Sequence, residues 1–166
     1  MPTPWRGTSR SQSTSCSWRA DHGKSADRIA FRAMSAPTRF ERAVDAKDIG
    51  ALTELLAPDV AFRSPVVYRA YEGRELVSAV LGAASRVFED FEYVQRFHSD
   101  DRAALIFKAR VGEREVEGLD LVRFDEDGKV SELTVMVRPM SGVHALAEAM
   151  GEELERLGVA PPRVSE

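Results

Sequence analysis

Apolar positions follow two rhythms along this chain. From Thr38 to Phe88 they recur mostly at three- and four-residue steps, the period of a helix face, with one short strand between. Thr38 to Asp48 places Phe40, Ala43, Val44 and Lys47 on one side, and Thr38 followed by Glu41 has the spacing of a capping box. Asp48 can cap a second short helix, Ile49 to Ala57, with Ile49, Leu52, Leu55 and Leu56 inward and Pro58 as its stop. Val60, Phe62 and Ser64 alternate with Ala61 and Arg63, which predicts a short strand ending at Pro65. A loop with Tyr68 and Tyr71 follows. Gly73 precedes a third helix, Arg74 to Phe88, whose stripe of Leu76, Val77, Val80, Leu81, Ala84, Val87 and Phe88 predicts a core-facing side.

Beyond Phe88 the period drops to two. Phe91, Tyr93, Gln95 and Phe97 alternate with Glu92, Val94, Arg96 and His98. Ala103, Leu105, Phe107 and Ala109 alternate with Ala104, Ile106, Lys108 and Arg110. Gly112 marks a turn into Val116 to Phe124. Asp125-Glu126-Asp127-Gly128 reads as a hairpin turn leading to Leu133, Val135 and Val137, with Glu132, Thr134, Met136 and Arg138 on the other face. After Pro139 a closing helix begins near Ser141, with Val143, Leu146, Ala147, Met150, Leu154 and Leu157 on one side. There are no internal repeats. The order predicts an α+β fold: a curved, mostly antiparallel sheet packed against three N-terminal helices, plus a C-terminal helix, enclosing a cone-shaped cavity.

One position breaks the pattern. Val116, Gly118, Asp120, Val122 and Phe124 share a strand face that is apolar except for the Asp120 carboxylate. A lone buried acid is costly unless it is paired, protonated or used. Asp120 is therefore the candidate catalytic residue, a carboxyl of raised pKa that donates or accepts a proton. The competing reading is a structural acid hydrogen-bonded to a neighbouring strand, helix or tyrosine.

Composition adds bounds. The 166 residues suit one domain, 43% are apolar and 30% charged, and the net charge of −4 gives no reason to expect nucleic-acid binding. No apolar run is long enough to span a membrane. Cys16 is the only cysteine, and the three histidines, His22, His98 and His144, are widely spaced, so neither a disulfide framework nor a metal site is expected. No phosphate loop or nucleophile elbow is present, no cofactor is expected, and a reducing cytoplasm is the expected location. Charge is uneven: residues 1–33 carry a net of +4 and the remainder −8. The first segment is rich in Ser, Thr and Arg without sustained periodicity, so 1–33 is expected to be a disordered extension. A start of translation at Met34 would account for it, and a transit peptide is the other reading. The folded domain is expected over 34–158, with a short tail over 159–166.

Three stretches carry a resemblance. "AVDAKDIGALTELLAPDVAFRSP", "YEGRELVSAVL" and "EGLDLVRFDEDGKVSELTVMVRP" resemble, in order and spacing, the helix pair and first strand, the third helix and the final hairpin of the nuclear transport factor 2-like fold, in its SnoaL-like branch. The resemblance covers about Ala36 to Leu154. It implies the cone-shaped cavity and a function within a family of isomerases, polyketide cyclases, dehydratases and transport factors. Ketosteroid isomerases of this family use a carboxylate base and an oxyanion hole of a tyrosine and a protonated aspartate. Asp120 falls at the place of that aspartate. Phe40 falls where the tyrosine would be, and Ser64 where the base would be. A phenyl ring has no hydroxyl to donate and a serine is a poor base unless activated, so the steroid-isomerase triad is not expected. SnoaL-like cyclases also use an aspartate as acid/base, a role open to Asp120.

The resemblance makes a small apolar molecule the expected partner. Phe40, Phe62, Ser64, Tyr68, Tyr71, Phe107, Val122, Val135 and Val137 are its expected contacts. Ordinary loop polarity competes as a reading of Ser64, Tyr68 and Tyr71. His98, beside the turn Ser99-Asp100-Asp101, reads as solvent-facing, and His144 as facing either cavity or solvent. The outer sheet face, with Glu132, Thr134, Met136 and Arg138, is the expected homodimer surface. A non-catalytic ligand-binding or dimerisation module is the alternative to an enzyme.

Overall fold

The computed structural model describes residues 36–160. The extension at 1–33 and most of the tail at 159–166 lie outside the described residues. The first helix, α1, occupies residues 36–45. Then come α2 (Ile49–Leu55), β1 (Leu56–Arg63), β2 (Tyr71–Glu72), α3 (Arg74–Val87), β3 (Glu89–His98), β4 (Arg102–Val111), β5 (Arg114–Phe124), β6 (Val130–Arg138) and α4 (Met140–Arg156). One six-stranded sheet runs in the order β2-β1-β6-β5-β4-β3, antiparallel except for the parallel pair β1–β6. The fold is α+β, as the periodicity predicts.

Alternation along β4 and β5 sorts the sheet into two faces. Leu105, Phe107, Val116, Val122 and Phe124 are buried against the helices. The helices return the contact with Phe40, Leu52, Val77, Val80, Leu146 and Leu154. Glu153 of α4 pairs with Arg86 of α3, a charged clasp at the surface of that helix pair.

Four local expectations are corrected. Helix α1 is already running at residue 36, so Thr38 is inside it and is not its cap. Glu41, the expected box partner, turns instead toward β3. Asp48 does cap α2, accepting from the Ala51 amide at 2.9 Å. That helix ends at Leu55, however, and the chain is already in β1 at Leu56, ahead of Pro58. Leu56, Ala57 and Val60 are core residues, and burying them as a strand beside β6 outweighs one more helical turn. Pro58, which cannot donate to the ladder, lies where the β1–β6 register shifts, between Leu56 and Ala61. Tyr71 and Glu72, expected in a loop, form a two-residue edge strand on β1.

The fourth correction matters most for the site. β3 does not keep its period. Tyr93 pairs with Phe107 and Gln95 with Ile106, so Val94 is an extra residue, a β-bulge. Before the bulge Tyr93 faces inward. After it Arg96 and His98, opposite Leu105 and Ala103, take the inward side, while Phe97 is 57% exposed.

Gly118 of β5 lies directly opposite Phe107. A Cβ there would stand 2.2 Å from the Phe107 Cζ atom and 2.7 Å from the Met136 carbonyl oxygen. The bare backbone is what lets the Phe107 ring lie across the strand and stack on Phe91 at 4.9 Å. Gly118→Ala is therefore expected to destabilise the fold by about 1–3 kcal/mol through overpacking. Urea denaturation checks this; an unchanged midpoint would contradict the packing described.

Candidate functional site

The inward faces of β4, β5 and β6 meet α1, α2, α3 and α4 around a cavity of about 280 Å³. That is near the lower end for small-molecule sites. Its wall is mostly apolar. Phe88, Phe91, Phe107 and Tyr93 form one aromatic cluster, with Phe88 edge-on to Phe107 at 5.6 Å and Phe91 edge-on to Tyr93 at 5.0 Å. Few polar groups reach the wall. Ser64 and Ser85 are both tied to backbone, Ser64 accepting from the Val66 amide and Ser85 donating to the Gly82 carbonyl. Lys47 and Glu155 are exposed residues of the lining, and Tyr71 is buried in it.

Asp120 is the buried carboxyl in this wall. It is 8% exposed and sits opposite Leu105 on one side and Val135 on the other. Tyr93, itself buried, donates its phenolic hydroxyl to Asp120 Oδ2 at 2.6 Å. The contact spans β4, because Tyr93 stands on β3 and Asp120 on β5. Among the described residues, no side-chain nitrogen or oxygen is both fully buried and without a hydrogen-bond partner. The oxygen of Asp120 that Tyr93 does not engage therefore keeps contact with the cavity.

Burial raises the Asp120 pKa from 3.8 to about 7, against the hydrogen bond from Tyr93, which lowers it. The Tyr93 hydroxyl is pushed well above its usual range, first by burial and then by the charge of Asp120. Tyr93 thus keeps its proton and acts as a donor, while Asp120 exchanges its own near neutral pH. The pairing also orients the acid. With Oδ2 occupied as an acceptor, the proton of the neutral carboxyl belongs on Oδ1, on the cavity side.

Of the expected contact residues, Phe40, Phe62, Ser64, Tyr71, Phe107 and Val135 line the cavity with Asp120. Tyr68 is fully exposed and stands outside the lining. Val122 is buried in the core and Val137 half-buried, both outside the lining. On β5 Val122 stands opposite Leu133, and on β6 Val137 stands across from Gly118. His98 is exposed, as expected, and its Nε2 also lies 2.6 Å from Glu41 Oε1. His144 is exposed and outside the lining. Arg138 pairs with Glu117 on the outer face, away from the cavity rim. Among the described residues, no group of three His, Cys, Asp or Glu could hold a metal ion. No helix there is long and apolar enough to cross a membrane.

Phe88 and Phe91 line the cavity without having been expected as contacts, and Tyr93 is the polar site residue that sequence reasoning missed. The alternation of Tyr93 with Glu92 and Val94 marks it as inward, but the partner lies two strands away. A polar-tipped aromatic on the same sheet face as a lone acid was the available signal.

Comparison with known proteins agrees with this architecture. A steroid delta-isomerase from Pseudomonas aeruginosa is similar, with 41% identity, 78% of this chain and 96% of that one covered, and a TM-score of 0.73. An uncharacterised protein with a cystatin-like fold from Silicibacter pomeroyi DSS-3 is 34% identical over 75% of this chain and 89% of its own, with a TM-score of 0.72. An NTF2-like protein of unknown function from Mesorhizobium loti shares the fold at 22% identity, covering 66% of this chain and 93% of that one, with a TM-score of 0.59. No curated protein matches. The model of the SnoaL-like domain matches residues 38–133, and with the architecture and these relatives it shows that the chain belongs to the SnoaL-like domain family.

Proposed function

We propose that this protein binds a small apolar molecule in the cavity and that Asp120 serves as its acid/base, for isomerisation, cyclisation or dehydration. The observation that carries the reading is a buried carboxyl of pKa about 7, paired on one oxygen by Tyr93, in a mostly apolar wall. Such a group is half-ionised near neutral pH, where an acid/base is most effective. In its neutral form it can donate from Oδ1 to a ligand carbonyl or hydroxyl. In its ionised form it can take a proton from an adjacent carbon. The steroid delta-isomerase relative supports the reading at the level of reaction class. The site departs from a three-residue isomerase site, since Phe40 lacks a hydroxyl and the Ser64 hydroxyl is engaged by the Val66 amide. Tyr93 supplies a phenol, but it is spent on Asp120. One residue would therefore carry both proton removal and return.

The hydrogen bond to Tyr93 also favours a second reading, a ligand-binding module in which Asp120 anchors a polar group without chemistry. Asp120→Asn separates the two. Asparagine can still accept from Tyr93 but cannot carry a proton. With small cyclic β,γ-unsaturated and β-hydroxy ketones as probes, followed by absorbance of the conjugated product, the variant is expected to lose about 10²–10⁴-fold in turnover. Wild-type-like turnover in the variant would overturn the acid/base role of Asp120; binding of the probes without conversion by either protein would favour the module. The same variant checks the buried charge. The folded-state pKa is raised, so the wild type binds more protons folded than unfolded between about pH 4 and 7, and its stability falls as pH rises through that window. The asparagine variant lacks this loss. It is expected to be the more stable protein above pH 7, by up to about 4 kcal/mol, as read by thermal unfolding at pH 5 and pH 8.

We further propose a homodimer through the outer sheet face. Ile106, Leu119 and Met136 stand side by side across β4, β5 and β6, with Met136 53% exposed. The ion pairs Arg138–Glu117 and Arg63–Glu132 flank them. Light scattering is expected to give twice the chain mass, reduced to one chain by Leu119→Lys with Met136→Glu. A monomeric wild type would contradict the dimer.

A further inference from the structure

The hydroxyl end of Tyr93 meets Asp120; its ring and backbone meet a cluster of charge. The Arg96 guanidinium carbon stands 5.5 Å from the centre of the Tyr93 ring, and Nη1 of Arg96 donates to the Tyr93 carbonyl oxygen at 3.0 Å. This second contact falls where the β3–β4 register shifts. The other side of the guanidinium is fixed by acids of α1. Nε lies 2.9 Å from Glu41 Oε2 and Nη2 lies 3.4 Å from Asp45 Oδ2. Glu41 is 8% exposed, and His98 occupies its remaining oxygen at 2.6 Å.

A surface ion pair would need no explanation, because such pairs contribute little. This cluster differs in two respects. Glu41 is buried, and a buried ion pair is a poor source of stability compared with apolar packing. Arg96 also grips Tyr93 at two separate places, ring face and carbonyl, in a strand whose bulge puts both residues on the inward side.

We propose that Arg96 is a positioning residue that acts through Tyr93 on the proton held by Asp120, with Glu41 keeping Arg96 in place; this rests on the reading of Asp120 as the proton-carrying group. The mechanism is electrostatic and geometric. A cation over an aromatic face favours negative charge building on the phenol oxygen, so the hydroxyl becomes a stronger donor. The same guanidinium offsets Glu41 and Asp45, whose charges hold the Tyr93 proton more tightly. A stronger donor favours the ionised form of Asp120. Beyond these groups, Tyr71, Lys47 and Glu155 are the titratable residues around the cavity.

The test is the titration of the Asp120 carboxyl by carbon-13 NMR in the full chain without substrate. Four proteins are compared: wild type, Tyr93→Phe, Arg96→Gln and the double variant. Arg96→Gln is expected to raise the Asp120 midpoint by roughly half a unit. In the Tyr93→Phe background the same change is expected to shift nothing further. An unaltered midpoint in Arg96→Gln, or an equal shift with and without the Tyr93 hydroxyl, would overturn the proposal. If Arg96→Gln fails to fold, Arg96→Lys keeps the charge without the fork. It should shift the midpoint the same way by less, and no shift would again overturn the proposal. The titration needs no turnover, so loss of the enzyme reading through Asp120→Asn leaves its outcome separate.

Discussion

A carboxyl surrounded by phenyl rings and aliphatic side chains is tolerable only if something offsets its desolvation, and here the hydroxyl of Tyr93 does part of that work. The bond is short, 2.6 Å, and crosses a strand. It requires three things of the fold. β3 must present Tyr93 inward at the level of Phe107, β5 must present Asp120 inward beside it, and the space between must admit a phenol ring. Gly118 helps meet the third by letting Phe107 lie close to the sheet. The bulge at Val94 lets the chain turn Tyr93 toward the cavity and then bring Arg96 and His98 onto the same side.

The balance at Asp120 is a competition. Burial favours the neutral acid, and the Tyr93 hydroxyl favours the anion; burial wins, but only as far as a pKa of about 7. With burial alone the acid would hold its proton more tightly. A surface carboxylate would be ionised throughout the neutral range and hold no proton to donate. The intermediate position is the one in which the same group can both give and take a proton, which matters in a site where Phe40 and Ser64 supply neither a phenol nor a base.

Much of this could be read from residue order. The helical stripe of Arg74 to Phe88, the alternation of β4 and β5, and the lone acid on an apolar strand face follow from period and chemistry alone, because a half-buried element must keep its apolar side inward. What escaped were features decided by a single residue or by distant partners. One extra residue, Val94, reverses the faces of β3, and nothing in the local spelling distinguishes a bulge from regular alternation. Leu56 and Ala57 suit a helix turn as well as a buried strand, and the parallel contact with β6 decides between them. Glu41 looks like a capping residue until the position of β3 is known. Tyr68 and Tyr71 are near neighbours of the same type, yet one is fully exposed and the other buried, because only Tyr71 pairs with β1.

The account depends on Asp120 holding a proton near neutral pH inside an apolar wall. Carbon-13 titration of its carboxyl in the wild-type protein measures that directly. The account predicts a midpoint near 7, and a midpoint near the ordinary value of about 4 would contradict it.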